Sequence, residues 1–301
     1  MNWSPHAVTL RQMQYLLAVS ETHSFRRAAE RCHVSQPSLS AQIAQAEGAL
    51  GVRVFERDRR HVLTTAAGEE VLERARAVLI AADDLGAAAA RHGDPLAGTL
   101  RIGAIPTVSP YLVPEIAPVL RRELPKLRLQ WSEDKTATLT AMLKAGAIDA
   151  ALVALEAELG ELEHEVIAED PFVLAMPKGH ILSRAKRPLP SAALDDAELL
   201  VLTEGHCLRG QVLSACKRAS VSTFGATSLH TLVQMVASGD GVTLLPSLAL
   251  RAENPRGVLA VRAFGKPVPK RTLALVWRKG SPAQVALRAI AAIVRQVAAR
   301  H

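Results

Sequence analysis

The sequence predicts an α/β chain in three parts: a small helical head with a two-stranded wing, a long connecting helix, and a larger body of two α/β lobes. Three observations predict it. Apolar residues recur at helical spacing in short segments before residue 50, and two strand-like runs around a basic turn follow. Val71, Ala75, Val78, Ala82 and Leu85 then fall at spacings of four, three, four and three, the seam of a two-helix coiled coil. From residue 96 onward, strand-like and helical runs alternate, the pattern of a parallel-sheet α/β fold. The expected boundaries are 1–65 for the head, 66–95 for the connecting helix and hinge, and 96–301 for the body. Within the body, one lobe is expected over about 96–169 and 268–301, the other over about 170–267.

Composition narrows the classes. At 301 residues the chain is long enough for two or three folding units, each with its own core. Hydrophobic residues at 49% and charged residues at 22% are a soluble, globular balance. Aromatics are 3%, so the cores rest on Ala, Leu and Val. A net charge of +7 admits nucleic acid or an anionic surface as a partner without choosing between them. Arg11, Gln12 and Gln14 interrupt the apolar residues of the first segment, so no secretory signal is read there, and no apolar run is long enough to span a membrane. Three cysteines in such a chain point to a reducing cytoplasm, where a disulfide is transient and regulatory.

The head is expected as follows. Leu10, Met13, Leu16, Leu17 and Val19 mark a first helix. Ser24 caps a second, Phe25 to Cys32, in which Ala28 and Ala29 allow a close neighbour. Cys32 reads as a small core residue. His33-Val34 is a tight turn, and Ser35 caps a third helix from Gln36, with Pro37 tolerated in its first turn. Leu39, Ile43 and Ala46 face inward, and Gln36, Ser38, Ser40 and Gln42 are the polar candidates for the outer face. Two short helices joined by a tight turn, the second carrying amides and hydroxyls, describe a helix-turn-helix reader of double-stranded DNA. Val52 to Thr64 reads as the wing, with arginines placed for phosphate. Thr64 and Thr65 supply hydroxyls that cap the connecting helix, which Gly93, Pro95 and Gly98 end.

In the body, strands are expected at Thr99–Ile105, Leu127–Trp131, Ala150–Ala154, Phe172–Met176, Leu199–Leu202, Val242–Pro246 and Thr272–Trp277. The last of these returns to the first lobe. The final helix, Pro282 to Arg300, carries Ala286, Ile290, Ile293, Val294 and Val297 on one face. Two such lobes form a cleft between them, the expected place for a ligand or for sensor chemistry.

The stretch Glu204 to Cys216 holds two cysteines nine positions apart. His206 and Arg209 flank Cys207, and Lys217 and Arg218 follow Cys216. A nearby cation favours the reactive thiolate. If the intervening residues form one helix, the cysteines are separated by a rise of about 13.5 Å, too far for a disulfide, whose Cα atoms lie within about 7 Å. The pair is then two separate thiols in an ordered segment or a disulfide in a rebuilt one. Two inert buried thiols fit the spacing equally well. The cysteines lack the close pairing of a zinc site, and no Gly-rich phosphate loop or Ser/His/Asp set is found, so no metal or cofactor is expected.

The runs Phe25-Arg26-Arg27-Ala28-Ala29, Val34-Ser35-Gln36-Pro37-Ser38-Leu39-Ser40, Leu50-Gly51-Val52 and Phe55-Glu56-Arg57 resemble the winged helix-turn-helix of LysR-type transcriptional regulators. The body resembles that family's periplasmic-binding-protein-like effector domain, so the likeness covers nearly the whole chain. Ile105-Pro106-Thr107-Val108, Tyr111-Leu112-Val113-Pro114, Gly205-His206-Cys207-Leu208-Arg209 with Cys216, and Ala226-Thr227-Ser228-Leu229 are similar to the peroxide-sensing OxyR branch. The resemblance implies a regulator, not an enzyme. DNA contacts are expected from Arg26, Arg27, Ser35, Gln36, Pro37, Ser38, Ser40, Gln42, Arg53 and Arg57. It implies that Cys207 reacts with hydrogen peroxide and Cys216 resolves the product as a disulfide. Thr107, Thr136 and His206 are expected to help hold peroxide or water, with Arg271 near the thiol. It further implies a homodimer or homotetramer, RNA polymerase as a partner, and reduction by the thioredoxin or glutaredoxin system. In one place the chain departs from the branch: Gly210 stands where Cys-Leu-Arg is commonly followed by Asp. Other family members bind small organic effectors between the lobes, and that is the alternative here, with the cysteines inert.

Overall fold

Helix α1 (Leu10–Thr22) starts at a reciprocal cap: the Thr9 hydroxyl accepts the Gln12 N–H, and Gln12 Oε1 accepts the Thr9 N–H at 2.9 Å. The computed structural model describes residues 7–57, 62–194, 197–216 and 220–300. Arg59, Arg60 and His61 of the expected wing turn, and Lys217 and Arg218 beside Cys216, lie outside the described residues. The chain divides into two units, residues 1–89 and 90–301.

In the first unit, α2 (Phe25–Arg31) is capped by the Ser24 hydroxyl and α3 (Gln36–Leu50) by that of Ser35. Between them His33 takes a left-handed conformation, φ 54°, which makes the turn tight. Leu39, Ile43 and Ala46 are fully buried, as the spacing predicts. Strand β1 (Phe55–Arg57) pairs antiparallel with β2 (Val62–Thr64), and the Glu47 carboxylate on α3 accepts the N–H groups of Val54 and Phe55 at 2.7 and 3.0 Å. That bond pair, with Phe25 edge-on to Phe55 at 6.1 Å, ties the wing to the helices. The ring pair adds about 0.5–1.5 kcal/mol beyond its buried area. Helix α4 (Ala66–Arg91) buries Leu72 and Ala75 on the head, whereas Val78 and Leu85 of the predicted seam are 42% and 75% exposed.

The second unit is built on β3 (Gly98–Ala104), α5 (Ser109–Glu123), β4 (Leu127–Glu133), α6 (Thr136–Lys144) and β5 (Ala150–Ala154). It continues with β6 (Leu162–Pro177), β7 (Glu198–Leu202), α7 (Cys207–Ala215), β8 (Ser220–Ala226), α8 (Leu229–Ser238) and β9 (Thr243–Pro246). It ends with α9 (Ser247–Glu253), β10 (Leu259–Ala263), β11 (Lys270–Arg278) and α10 (Gln284–Ala298). Strands β4, β3 and β5 run parallel; β11 joins β5 antiparallel and β6 follows it.

The alternation of elements predicts a parallel-sheet α/β fold, and the structure shows a mixed sheet. A parallel neighbour needs a crossover helix. The connection from β5 to β6 has none, and β11 enters from the other lobe. The expected strand at Phe172–Met176 is the second half of a 16-residue strand. Residues 162–171 of β6 pair with β11 in one lobe; from Phe172 onward it pairs with β9 and β10 in the other. Glu163, Glu165 and Glu169 hid the first half from a reading based on apolar alternation. The lobes thus share a continuous strand as well as the return of β11. At Gly103 an added Cβ would stand 2.4 Å from Leu139 Cδ2, so glycine there lets α6 lie close on the sheet and sets the position of its first residue, Thr136.

Candidate functional site: a thiol at the head of a cleft helix

A cleft of about 770 Å³ in the second unit is lined by Thr136, Glu156, Phe172, His206, Cys207 and Gln211, among others. The turn that presents Cys207 is shaped by Gly205, whose φ of +87° suits glycine. Lys135, just before α6, covers that turn: its Nζ donates to the Glu204 carbonyl at 3.0 Å, and its Cδ would meet a Cβ on Gly205 at 3.1 Å. His206 is the extended residue before α7 and is 9% exposed. Burial, and then the Lys135 charge, hold its imidazole below the ordinary value, so it is neutral at pH 7. Cys207 is the first residue of α7 and is half-buried. No side chain caps this helix start, whose N–H groups favour an anion. Arg209 is turned away: its Nη1 donates to the Leu202 carbonyl at 3.1 Å and braces the end of β7.

Two side-chain atoms of residues lining the same cleft, Thr136 Oγ1 and Gln211 Oε1, are buried without a hydrogen-bond partner. Such an atom costs about 1–3 kcal/mol, which a small hydrogen-bonding ligand in the cleft would offset. Thr107 and Arg271 are brought together elsewhere. Arg271 is fully buried and lies opposite Asp170 across β11 and β6. Its Nη1 donates to Thr107 Oγ1 at 2.7 Å, its Nη2 to the Thr107 carbonyl at 3.0 Å, and its Nε to Asp170 Oδ2 at 2.9 Å. Asp170 Oδ1 in turn accepts the Leu248 N–H at 3.0 Å. The sequence neighbours Lys270 and Phe172 line the cleft, so this cluster backs the wall.

Cys216 stands at the far end of α7, 4% exposed, its N–H bonded to the Val212 carbonyl at 3.1 Å. Cys32, Cys207 and Cys216 are all thiols. Nine residues of helical rise separate Cys207 from Cys216, about 13.5 Å, nearly twice the Cα separation that a disulfide allows. Joining them requires α7 to unwind. Leu208 and Val212 are 1% and 2% exposed, and exposing each costs about 1.5–3 kcal/mol.

Sequence reasoning did not find Asp170, Lys135, Glu156 or Gln211. Gln211, four residues after Cys207, shares its face if the segment is helical and could have been found by that spacing. Asp170 and Lys135 meet residues 101 and 69 positions away, and no local pattern announces them.

On the head, Gln36, Pro37 and Ser38 are exposed at the start of α3, whereas Ser40 and Gln42 are half-buried. Gln42 Oε1 accepts from Gln12 Nε2 at 3.2 Å, and the Ser35 hydroxyl is occupied as a cap. Arg26 makes an exposed pair with Glu30 at 3.5 Å, of the kind worth at most about 1 kcal/mol and readily exchanged for phosphate. Arg27 donates to the Thr22 carbonyl. Arg53 is exposed, and Arg57 ends β1.

A helix-turn-helix head with a wing, followed by a two-lobed body with a thiol in its cleft, defines a DNA-binding transcription regulator with a responsive domain. Residues 10–69 match the bacterial regulatory helix-turn-helix proteins of the lysR family, and residues 93–299 match the LysR substrate binding domain. The chain belongs to the LysR family. It is 42% identical to the hydrogen peroxide-inducible genes activator of Dickeya chrysanthemi over 292 residues, covering 96% of this chain and 95% of that one. It is 40% identical over 291 residues to the DNA-binding transcriptional dual regulator OxyR of Escherichia coli K12, covering 96% and 95%. Among solved structures, a variant of full-length OxyR from Pseudomonas aeruginosa matches with a TM-score of 0.77 at 38% identity, over 97% of this chain and 96% of that one. A peroxide-bound variant of Corynebacterium glutamicum OxyR matches with a TM-score of 0.67 at 32% identity, over 99% and 94%.

Proposed function

We propose that this regulator senses hydrogen peroxide through Cys207 and Cys216 and controls oxidative-stress genes from double-stranded promoter DNA. The observation that carries the reading is the ordered α7, with a thiol at its cleft-facing start and another at its buried end, too far apart to join without rebuilding. The Cys207 thiolate attacks one peroxide oxygen; the O–O bond breaks, the other oxygen leaves as hydroxide, and sulfenic acid forms at Cys207. The Cys216 sulfur then displaces that hydroxyl as water and the disulfide closes. Thr136 and His206 are the candidates to orient peroxide, with Thr107 and Arg271 supporting the wall behind them. The reaction runs once per activation, so the chain is a regulator and not a peroxidase.

Gln36, Pro37, Ser38, Ser40 and Gln42 read base edges, with Ser35, Arg26, Arg27, Arg53 and Arg57 at the backbone. The exposed Val78 and Leu85 support pairing of two α4 helices, and the effector domains pair further to a tetramer. RNA polymerase is the partner in activation, and the thioredoxin or glutaredoxin system returns the thiols. Among the described residues no helix is long and apolar enough to cross a membrane, and the reading places the protein in the cytoplasm. Mass spectrometry of the thiols before and after one equivalent of peroxide tests the proposal. A Cys207–Cys216 disulfide is expected; unmodified Cys207 would return the chain to the organic-effector reading.

A further inference from the structure

We propose that Glu156 is a positioning residue for the thiol chemistry: it orients the Gln211 amide so that the Gln211 carbonyl oxygen is offered to a peroxide at Cys207. This rests on the peroxide-sensing reading and deepens it. Glu156 follows β5, and its carboxylate is anchored there, Oε1 accepting the Thr272 N–H at 2.7 Å. Oε2 receives Gln211 Nε2 from α7 over a long 3.5 Å. A carboxylate only accepts hydrogen bonds, so the nitrogen end of the amide must face Glu156 and the oxygen end must face away from it. That oxygen is buried and has no partner. The other cleft atom in the same condition, among the described residues, is Thr136 Oγ1. Gln211 lies one turn after Cys207 on the same face of α7.

An amide carbonyl that only accepts and a hydroxyl that can donate complement a ligand that does both. Hydrogen peroxide has an O–H and lone pairs on each oxygen. Held between Gln211 and Thr136, it presents one oxygen to the sulfur while the other leaves as hydroxide. Gln211 and Glu156 exchange neither proton nor electron in this step; they fix the direction of the O–O bond.

Glu156→Gln keeps the size of the side chain and the bond from Thr272. Its new amino group then faces Gln211, which turns the Gln211 amide and withdraws the acceptor from the cleft. The test uses the full-length chain carrying Cys216→Ser, so that sulfenic acid at Cys207 persists, with dimedone trapping read by mass spectrometry. Glu156→Gln and Gln211→Leu are each expected to slow oxidation by hydrogen peroxide about tenfold. The double variant should be no slower than Gln211→Leu alone, because Glu156 acts through Gln211. Alkylation of Cys207 by iodoacetamide, which has no O–O bond to align, should be unchanged in Glu156→Gln. The proposal is overturned if Glu156→Gln oxidises at the parent rate, if it slows alkylation equally, or if the two substitutions add. If Cys207 of the parent does not react with peroxide at all, the sensor reading itself fails and this inference falls with it.

Discussion

Arg271 and Asp170 face each other across β11 and β6, with Nη2 2.8 Å from Oδ2 and side chains 0% and 4% exposed. Two charges removed from water this far are held by geometry rather than by net gain. The same guanidinium grips Thr107, so one residue joins the two long strands to the turn after β3. Arg271→Met leaves Asp170 charged and unpaired, and urea unfolding should show a loss of about 3–5 kcal/mol. Arg271→Met with Asp170→Leu should recover most of that stability, yet still oxidise Cys207 slowly, because Thr107 has lost its brace. A double variant with full peroxide reactivity would leave the cluster a purely structural role.

His206 gives a pH dependence of definite sign. Its folded-state pKa is depressed, by burial first and by Lys135 second, so the folded chain binds fewer protons there than the unfolded chain. The stability it contributes is fully present above the unfolded value of about 6.5. It is lost as pH falls through the folded value. Unfolding free energies of wild type and His206→Gln, measured from pH 7.5 down to about 5, should converge as the pH drops. The comparison must be a difference, because the chain has ten histidines. Parallel curves would show that His206 does not titrate differently on folding.

The head was legible because its signals are local. Ser24 and Ser35 cap the helices that begin at the next residue, and Leu39, Ile43 and Ala46 share a helical face. The nine-residue spacing of Cys207 and Cys216 has the same meaning in sequence and in structure. What was not legible depends on partners far along the chain. The first half of β6 carries carboxylates that find Trp277, Gln284 and Arg295 more than a hundred residues later. The nearest sequence cation to Cys207 also misled: Arg209 is drawn to the Leu202 carbonyl, while Lys135, from another element, lies over the turn.

The exposed seam on α4 predicts association. Val78 and Leu85 are one heptad apart and 42% and 75% exposed, whereas Leu72 and Ala75 are buried. Val78→Glu with Leu85→Glu should lower the mass seen by light scattering and leave the helical circular dichroism of the head intact. Wild type found as a monomer at the same concentration would contradict the seam.

The outer surface of the head predicts a salt-dependent, sequence-tolerant contribution from single arginines. Arg53 is exposed beside the wing and carries no ion pair among the described contacts. Arg53→Ala should weaken binding to specific and unrelated duplexes alike and reduce the slope of log affinity against log salt by about one. Gln36→Ala should instead cost about 1–3 kcal/mol at one base position only. An unchanged slope for Arg53→Ala would remove it from the phosphate contacts.

Gly210 sits inside α7, three residues after Cys207, and an added Cβ there would meet no heavy atom within 4 Å. Glycine in a helix interior costs about 0.8–1 kcal/mol relative to alanine, so Gly210→Ala should stabilise the ordered helix without a clash. On the proposed reading, the disulfide forms only after that helix unwinds. The same free energy therefore opposes oxidation, and the thiol–disulfide equilibrium constant should fall about fivefold, near 20 mV for this two-electron couple. The first step does not need unwinding. In the Cys216→Ser background, dimedone trapping should show sulfenic acid forming at Cys207 at the same rate with and without the Gly210→Ala substitution. Glutathione redox buffers read by mass spectrometry give the equilibrium. A Gly210→Ala chain that closes its disulfide as readily as wild type would mean that α7 stays wound when the thiols join, and the two-state geometry would have to be abandoned.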